Sequence, residues 1–243
     1  MGATCSLHDR FLNVACQLIA RLVISGLNVD GIMNYLRFAI LLYTLLSLVA
    51  CQVKHEVPAS DDPITKLNWA EELYDKQDRP EEAERLIRES IAICKQTGDD
   101  LCLGDAYVSY GFFFRSPSLE RKESWFRENG FLDRYATFDN RLFRSRDYFQ
   151  HSVDYYLETG KYDLVSRAWL NTGFAYHFLR ESGVETDPKT GESYRLAECR
   201  AYQVSYQYNR KAVSENPDLR IVMPADVASY REYMDIQLDR AGC

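Results

Sequence analysis

The spacing of apolar residues is typical of α-helices from Pro63 onward. In the first predicted helix the apolar positions recur every three or four residues, which places them on one face. No segment shows the sustained alternation of apolar and polar residues that a half-buried strand requires. The pattern therefore predicts an all-α domain. The first apolar stripe consists of Ile64, Leu67, Ala70, Leu73 and Tyr74.

Turn residues divide this domain into several helices, and one segment interrupts their rhythm. Thr97-Gly98, Thr159-Gly160 and Asn216-Pro217 each follow the end of a predicted helix, as helix-stopping residues do. Residues 115–140 mix charged and aromatic side chains without a helical period, so we treat them as an insertion. Helices are predicted at residues 64–76, 81–96, 101–114, 141–158, 162–180, 194–215 and 224–238.

The first 50 residues contain a short apolar run that follows a basic residue. Residues 38–50 carry no charge, and Arg37 stands directly before them. The run has 13 residues, whereas a helix that crosses a bilayer needs about 20. A basic residue, a short apolar run and small residues before a processing site are typical of a secretory signal. We therefore expect residues 1–50 to be a leader, with Met33 as an alternative start.

Two other interpretations of the amino-terminal region stay open. Residues 38–50 suit an ordinary buried helix, and Met1-Gly2 with Ser6 fits an N-myristoylation signal. In the second case Cys5 would be available for palmitate. That interpretation leaves the apolar run downstream without an explanation.

The run ends in Leu48-Val49-Ala50-Cys51, which resembles the lipobox of bacterial lipoproteins. The resemblance implies that Cys51 becomes the lipid-modified first residue of the mature protein. Gln52 follows it, where Asp is typical of lipoproteins retained at the inner membrane. The resemblance therefore implies the bacterial cell envelope, at the inner leaflet of the outer membrane facing the periplasm. Residues 51–62 are expected to form a lipidated, polar tether.

Composition narrows the choice of partners. Hydrophobic residues make up 46% of the 243-residue chain, which suits a globular domain with a core. The formal net charge is −7. A general nucleic-acid binder needs a basic footprint, so the charge argues against nucleic acid as a partner.

Small residues and tyrosines recur at related positions of the predicted helices. The spacing of these residues resembles that of the tetratricopeptide repeat, a 34-residue pair of helices. The resemblance implies a right-handed helix-pair solenoid over residues 63–243, with about three helix pairs and a C-terminal capping helix. It also implies that Gly104 and Gly173 admit a neighbouring helix. The matching residues are Trp169, Gly173 and Tyr176; Leu103, Gly104 and Tyr107; and, more loosely, Ala70, Tyr74 and Ala83.

A helix-pair solenoid has a concave surface, formed by the first helix of each pair, that binds a protein or peptide. The resemblance implies that residues of the predicted helices 64–76, 101–114 and 162–180 form this surface. Solvent exposure without function is the alternative for each of them. The candidate partner-binding residues are Asn68, Glu72, Asp105, Val108, Arg167, Phe174 and His177.

The insertion 115–140 supplies a second group of candidates, because an irregular segment of this length is uncommon without a role. Its aromatic residues either cover the side of the helical domain and extend the core, or bind a partner as exposed anchors. The sequence leaves both open. The residues concerned are Trp125, Phe126, Phe131 and Tyr135.

Motifs for catalysis and cofactor binding are missing. The chain has no phosphate-binding loop, no dinucleotide-binding fingerprint and no nucleophile elbow. His55, His151 and His177 have no second ligand at metal spacing, so we predict no enzyme, no metal and no cofactor beyond the lipid at Cys51.

The remaining cysteines are Cys94, Cys102, Cys199 and Cys243. A periplasmic location permits disulfides. Cys94 and Cys102 flank a short turn, so a bridge between them is possible, with buried free thiols as the alternative. We expect Cys243, at the last position, to be free.

The sequence therefore predicts a membrane-anchored lipoprotein that binds a protein partner. Envelope complex assembly, a secretion or pilus accessory role and neutralisation of a toxin all fit this description. The alternative is a periplasmic hydrolase or small-ligand-binding lipoprotein. Convergence of Arg167, His177 and an acidic residue in a closed cavity would favour that alternative, and a shallow open groove would count against it.

Overall fold

The structure, a computed structural model, describes residues 57–188, 190–220 and 224–243. The predicted leader, the alternative start at Met33 and the lipid site Cys51 lie outside these residues. Among the described helices, none combines the length and hydrophobicity needed to cross a membrane.

The described residues are helical, apart from one isolated antiparallel bridge between Thr186 and Ser193. This confirms the all-α prediction. The helices at 141–158 and 194–215 have the predicted bounds, whereas the last begins later than predicted because Ser229 caps it by accepting a hydrogen bond from Glu232 N at 3.2 Å. The helices are α1 Pro63–Asp75, α2 Pro80–Thr97, α3 Asp100–Phe114, α4 Pro117–Arg121, α5 Glu123–Asn129, α6 Arg141–Glu158, α7 Tyr162–Glu181, α8 Tyr194–Glu215 and α9 Tyr230–Ala241.

Local sequence explains why these helices begin and end where they do. The side chain of Asp62 accepts a hydrogen bond from Thr65 N at 2.8 Å, and that of Asp99 accepts one from Cys102 N at 3.0 Å. Each bond satisfies an amide that has no partner inside its helix. Gly98 ends α2 in the left-handed conformation, which costs glycine little.

Each long helix packs against the next one in the chain. In order, α1 contacts α2, α2 contacts α3, α3 contacts α6, and α6, α7, α8 and α9 follow in turn. Helix α1 also contacts α3 directly. Alternate helices therefore share a side of the domain, and α1 and α3 lie on the same side.

Two glycines let helices approach closely, as predicted. A Cβ atom at Gly104 in α3 would overlap the ring of Tyr156 in α6. At Gly173 in α7 the ring of Tyr202 in α8 occupies the same place. Both tyrosines are buried, so their rings fill the seam between neighbouring helices. The same contact thus occurs twice, in successive helix pairs.

The insertion 115–140 forms the short helices α4 and α5 and packs onto the domain. Phe126 is 1% exposed and stacks on Phe131 with ring centroids 4.4 Å apart. Phe131 in turn contacts the ring of Phe114 at 5.3 Å. These two aromatic residues therefore extend the core. Phe126 is buried and not available to a partner, so of the two alternatives left open for it the core role is correct and the candidate role as an exposed anchor is wrong.

Two buried carboxylates hold the end of the insertion in place. Glu84 Oε1 in α2 accepts hydrogen bonds from Tyr110 Oη at 2.6 Å and from Leu132 N at 2.9 Å. Asp133 pairs with Arg144 at 2.7 Å and accepts a hydrogen bond from Tyr148 Oη at 3.0 Å. Burial raises the pKa of Glu84 above its ordinary value.

Two disulfides join cysteines of the described region. Cys94 is bonded to Cys102 across the turn between α2 and α3, and Cys199 in α8 is bonded to Cys243. The expectation that Cys243 is free was wrong. Helix α9 packs against α8 and brings Cys243 next to Cys199. The spacing of the cysteines along the sequence does not predict this contact.

A candidate binding groove on the α1, α3 and α7 side

A groove of about 630 Å³ lies on the side of the domain that carries α1 and α3. This volume lies within the range of small-molecule and peptide-binding clefts. Four of the residues proposed from the sequence line it together: Asn68 from α1, Asp105 and Val108 from α3, and Arg167 from α7. These four residues are far apart in the chain, and the folded domain places them near one another.

The other candidates of that group lie elsewhere. Glu72 pairs with Lys76 at 2.6 Å. Phe174 packs edge-on against the ring of Tyr202 with centroids 5.8 Å apart. His177 lines a separate pocket. None of these three lines the groove, so of the candidates on α7 only Arg167, in the first part of the helix, lies at the groove.

Arg115 is the feature of the groove that the sequence did not reveal. It directly follows α3, and its guanidinium lies over the rings of Phe112, Phe149 and Phe178 at 4.6, 5.2 and 5.5 Å from their centroids. Such contacts with ring faces attract a cation. The carbonyl end of α3 also favours positive charge. Helix α3 and the aromatic rings therefore hold Arg115 at the groove.

The Arg115 guanidinium has no acidic partner among the described residues. Its Nη1 is buried and makes no hydrogen bond in the described part of the chain, and no ion pair within 4 Å joins it to a described carboxylate. Burial lowers its pKa to about 10, so it still carries its charge at neutral pH. A buried charge without a partner is costly, and an anion in the groove would remove that cost.

The remaining charges of the groove differ in their exposure. Arg167 is exposed and forms no ion pair within 4 Å with another described residue. Glu71 and Asp75 are exposed at the rim. Asp105 accepts a hydrogen bond from Tyr156 Oη at 2.6 Å, and burial raises its pKa. The groove thus contains two cations, Arg115 and Arg167, that can bind an anion. The carboxylates of Glu71, Asp75 and Asp105 would repel an anion from the other parts of the groove.

A second pocket of about 460 Å³ surrounds His177. The Nδ1 atom of His177 lies 3.2 Å from Glu198, which is 1% exposed, and the Nε2 atom of His177 lies 3.2 Å from Glu181. Arg180 also pairs with Glu198. Arg167 lines the groove and does not reach this pocket. The convergence of Arg167, His177 and an acid, which would have favoured a hydrolase, is therefore not formed.

The insertion presents two of its aromatic residues, Trp125 and Tyr135, to solvent. Trp125 is 41% exposed and Tyr135 is 63% exposed. Arg134 lies over the Tyr135 ring, 4.6 Å from its centroid. These two residues stay candidates for partner contact, in contrast to the buried Phe126.

Within the described ranges, no three His, Cys, Asp or Glu side chains are grouped as metal ligands would be. Comparison of the chain with protein-family models, curated proteins and solved structures finds no match in any of the three.

Proposed function

We propose that this chain is a lipid-anchored protein of the bacterial cell envelope, in which a helix-pair solenoid similar to tetratricopeptide repeats binds a protein partner. The partner occupies the groove between α1, α3 and α7 and places a carboxylate at Arg115. The lipid on Cys51 holds the domain at the inner leaflet of the outer membrane.

The cysteine inventory supports the anchor. Five cysteines follow the predicted leader, and four of them are paired as Cys94–Cys102 and Cys199–Cys243. Cys51 thus has none of these four as a disulfide partner, which suits a sulfur that carries a lipid. Disulfides are typical of oxidising compartments such as the periplasm.

Two observations support the solenoid. The contacts of Gly104 with Tyr156 and of Gly173 with Tyr202 repeat the same arrangement in successive helix pairs. The first helices of the three pairs, α1, α3 and α7, line one groove, as they would in a stack of helix pairs. Helix α9 packs against α8, the last helix of the third pair, as a capping helix would.

The single observation that carries the binding proposal is the Arg115 guanidinium in the groove, whose buried Nη1 makes no hydrogen bond to any described residue. Arginine pairs with carboxylates through charge-assisted hydrogen bonds. The aromatic rings around Arg115 would lower the solvent exposure of such a pair and strengthen it. An extended peptide that offers an Asp, Glu or terminal carboxylate therefore suits this groove best.

Site-specific photo-cross-linking of the full chain tests this proposal. A photoreactive residue replaces Ser109, which lines the groove, in the wild-type protein and in two variants expressed in the native envelope. Arg115→Met removes the cation and keeps side-chain length. Arg88→Met is the matched control, because Arg88 is exposed on α2 and lies outside the groove.

We expect the wild-type and Arg88→Met proteins to cross-link the same partner, at a peptide that contains an acidic residue or a chain end. Loss of a charged hydrogen bond should lower the yield in Arg115→Met by about tenfold or more. The thermal midpoint should not fall in Arg115→Met, since a buried charge without a partner has been removed. Equal yield in all three proteins would refute the role of Arg115.

A further inference from the structure

Another pocket, which shares Arg167 with the groove, lies between α7, α8 and α9, with a volume of about 360 Å³. We call it the end pocket. Residues of three helices line it, among them Ser166 and Arg167 of α7, Asn209 of α8 and Tyr230 of α9. Its volume is at the lower end of the range for small-molecule sites.

The side chain of Asn209 is the unusual feature of the end pocket. Asn209 is 5% exposed, and its Nδ2 is buried without a hydrogen-bond partner in the described part of the chain. A carboxamide offers two donors and an acceptor, and buried polar groups are nearly always paired. Asn209 is therefore placed to bind a group that enters the pocket.

The neighbouring hydroxyl groups are already paired and do not satisfy Asn209. Tyr230 Oη lies 2.6 Å from Ser205 Oγ and 3.1 Å from Ser166 Oγ. Ser166 and Ser205 also donate to each other's carbonyl oxygens at 2.8 and 2.7 Å. This network fixes the crossing of α7 and α8 and gives the pocket a rigid wall.

The charges around the end pocket are of both signs. Arg167 and Arg220 are exposed and form no ion pair within 4 Å with other described residues, whereas Asp163 is half-buried. Leu170 and Tyr233 add apolar surface. A ligand that carries both an ammonium and a carboxylate, with an apolar side chain, matches this combination.

We infer that the end pocket binds a short zwitterionic peptide with an apolar side chain and a free carboxylate. The Asn209 carboxamide pairs with the peptide unit, because an amide supplies the complementary acceptor and donor. Arg167 binds the carboxylate, and Asp163 binds the ammonium. This inference does not rest on the proposed partner in the groove, because Asn209, which carries it, lies outside the groove, although Arg167 lines both cavities.

Calorimetric titration of the full chain with glycyl-L-leucine tests the inference. Glycyl-L-leucinamide, which lacks the carboxylate, and L-leucine, which lacks the peptide unit, are the comparison ligands. The variants are Asn209→Leu, which removes the carboxamide at similar volume, and Arg167→Gln. Gln207→Leu is the matched control, because Gln207 is exposed on the same helix.

We expect glycyl-L-leucine to bind the wild-type and Gln207→Leu proteins alike. Its affinity should fall about tenfold or more in Asn209→Leu and in Arg167→Gln. Both comparison ligands should bind at least about tenfold more weakly than glycyl-L-leucine to the wild-type protein. No binding of glycyl-L-leucine to the wild-type protein, or unchanged affinity in Asn209→Leu, would overturn the inference.

Melting curves separate a binding role of Asn209 from a structural one. Without ligand, Asn209→Leu should melt no lower than the wild type, because an unpaired buried polar group has been removed. With glycyl-L-leucine, the midpoint should rise in the wild type only. A lower midpoint of the ligand-free Asn209→Leu protein would assign Asn209 to the fold and count against the site.

The two proposals fail separately. Arg115→Met should keep its affinity for glycyl-L-leucine, and Asn209→Leu should keep its cross-linking yield at the groove. If both activities were lost in either variant, the two sites would not be independent.

Discussion

At the scale of the residue, buried charges govern both the fold and the groove. Glu84 and Asp133 are buried with hydrogen-bond donors around them, and they fix the insertion. Arg115 is held by ring faces and lacks an acidic partner among the described residues. The difference in pairing distinguishes charges that maintain structure from a charge that is available for binding.

The pH dependence of stability follows from Glu84. Burial raises the pKa of its carboxyl group in the folded state, so the native protein holds this proton more tightly than the unfolded chain does. The contribution of Glu84 to stability is therefore complete at pH below the ordinary pKa and declines as pH rises through the raised pKa. Glu84→Gln keeps an acceptor oxygen for Tyr110 and the backbone amides without the charge.

We expect Glu84→Gln to be more stable than the wild type at pH 7, and the difference to shrink as pH falls towards 4. Urea unfolding at several pH values measures this. Glu128→Gln, at an exposed position of α5, is the control and should show no such trend. A wild type that is more stable than Glu84→Gln at pH 7 would contradict the account.

The residues of the site differ in how far the sequence reveals them. The resemblance to a repeat pattern assigned four of the groove residues to one helix face: Asn68, Asp105, Val108 and Arg167. Arg115 was missed because it follows the end of α3, where helical periodicity no longer assigns a face. Its aromatic neighbours come from three helices, α3, α6 and α7, and only the folded chain brings these together.

At the scale of the element, the packing of helices depends on small residues at their crossings. Gly173 in α7 receives the ring of Tyr202 from α8, and Ser166 and Ser205 bond each other elsewhere along the same pair of helices. The sequence predicted the two glycines from their offsets to tyrosines. The sequence could not predict that the insertion folds into the short helices α4 and α5, because contacts with distant residues hold these helices in place.

Gly173→Ala should destabilise the protein by about 1–3 kcal/mol, since the added methyl group overlaps the Tyr202 ring. Alanine's better helix propensity offsets about 1 kcal/mol at most. Thermal or urea unfolding gives the value, and Gln207→Ala on the exposed side of α8 serves as control. Stability equal to the wild type would mean that α7 and α8 are less tightly packed than described.

The disulfide between Cys199 and Cys243 should stabilise the attachment of α9. It closes a loop with a sequence separation of 44, compared with 8 for Cys94–Cys102. Longer loops gain more from closure. Replacing both Cys199 and Cys243 with Ala should therefore cost about 2–4 kcal/mol, and increase amide exchange in α9 more than in α1.

Hydrogen–deuterium exchange with mass spectrometry measures the expected increase in amide exchange in α9. The Cys94→Ala, Cys102→Ala double variant is the comparison, and it should leave exchange in α9 unchanged. If the two double variants loosened α9 equally, the assignment of this role to Cys199–Cys243 would be wrong.

At the scale of the whole molecule, the proposed function gives separate tasks to a lipid anchor and to a binding domain. The described helices form the domain, and the proposed groove and end pocket lie on it. The sequence alone indicated the anchor, through a short apolar run and the residues before Cys51. Placing the domain at a membrane would raise the local concentration of a membrane-bound partner.

The route of attachment can be tested by fractionation. Cys51→Ala should move the protein out of the membrane fraction, because a single domain without a lipid has no other anchor in the proposed scheme. Cys51→Ser is a second variant with a smaller change in side-chain shape and should behave in the same way. Membrane attachment that persists in both variants would refute lipidation as the anchor.

Intact-mass spectrometry of the membrane-extracted protein tests most directly whether Cys51 is the lipidated first residue of a tethered binding domain. The account predicts a mass that corresponds to residues 51–243 with attached acyl chains and two intact disulfides. An unmodified chain that begins at Met1 or Met33 would contradict it.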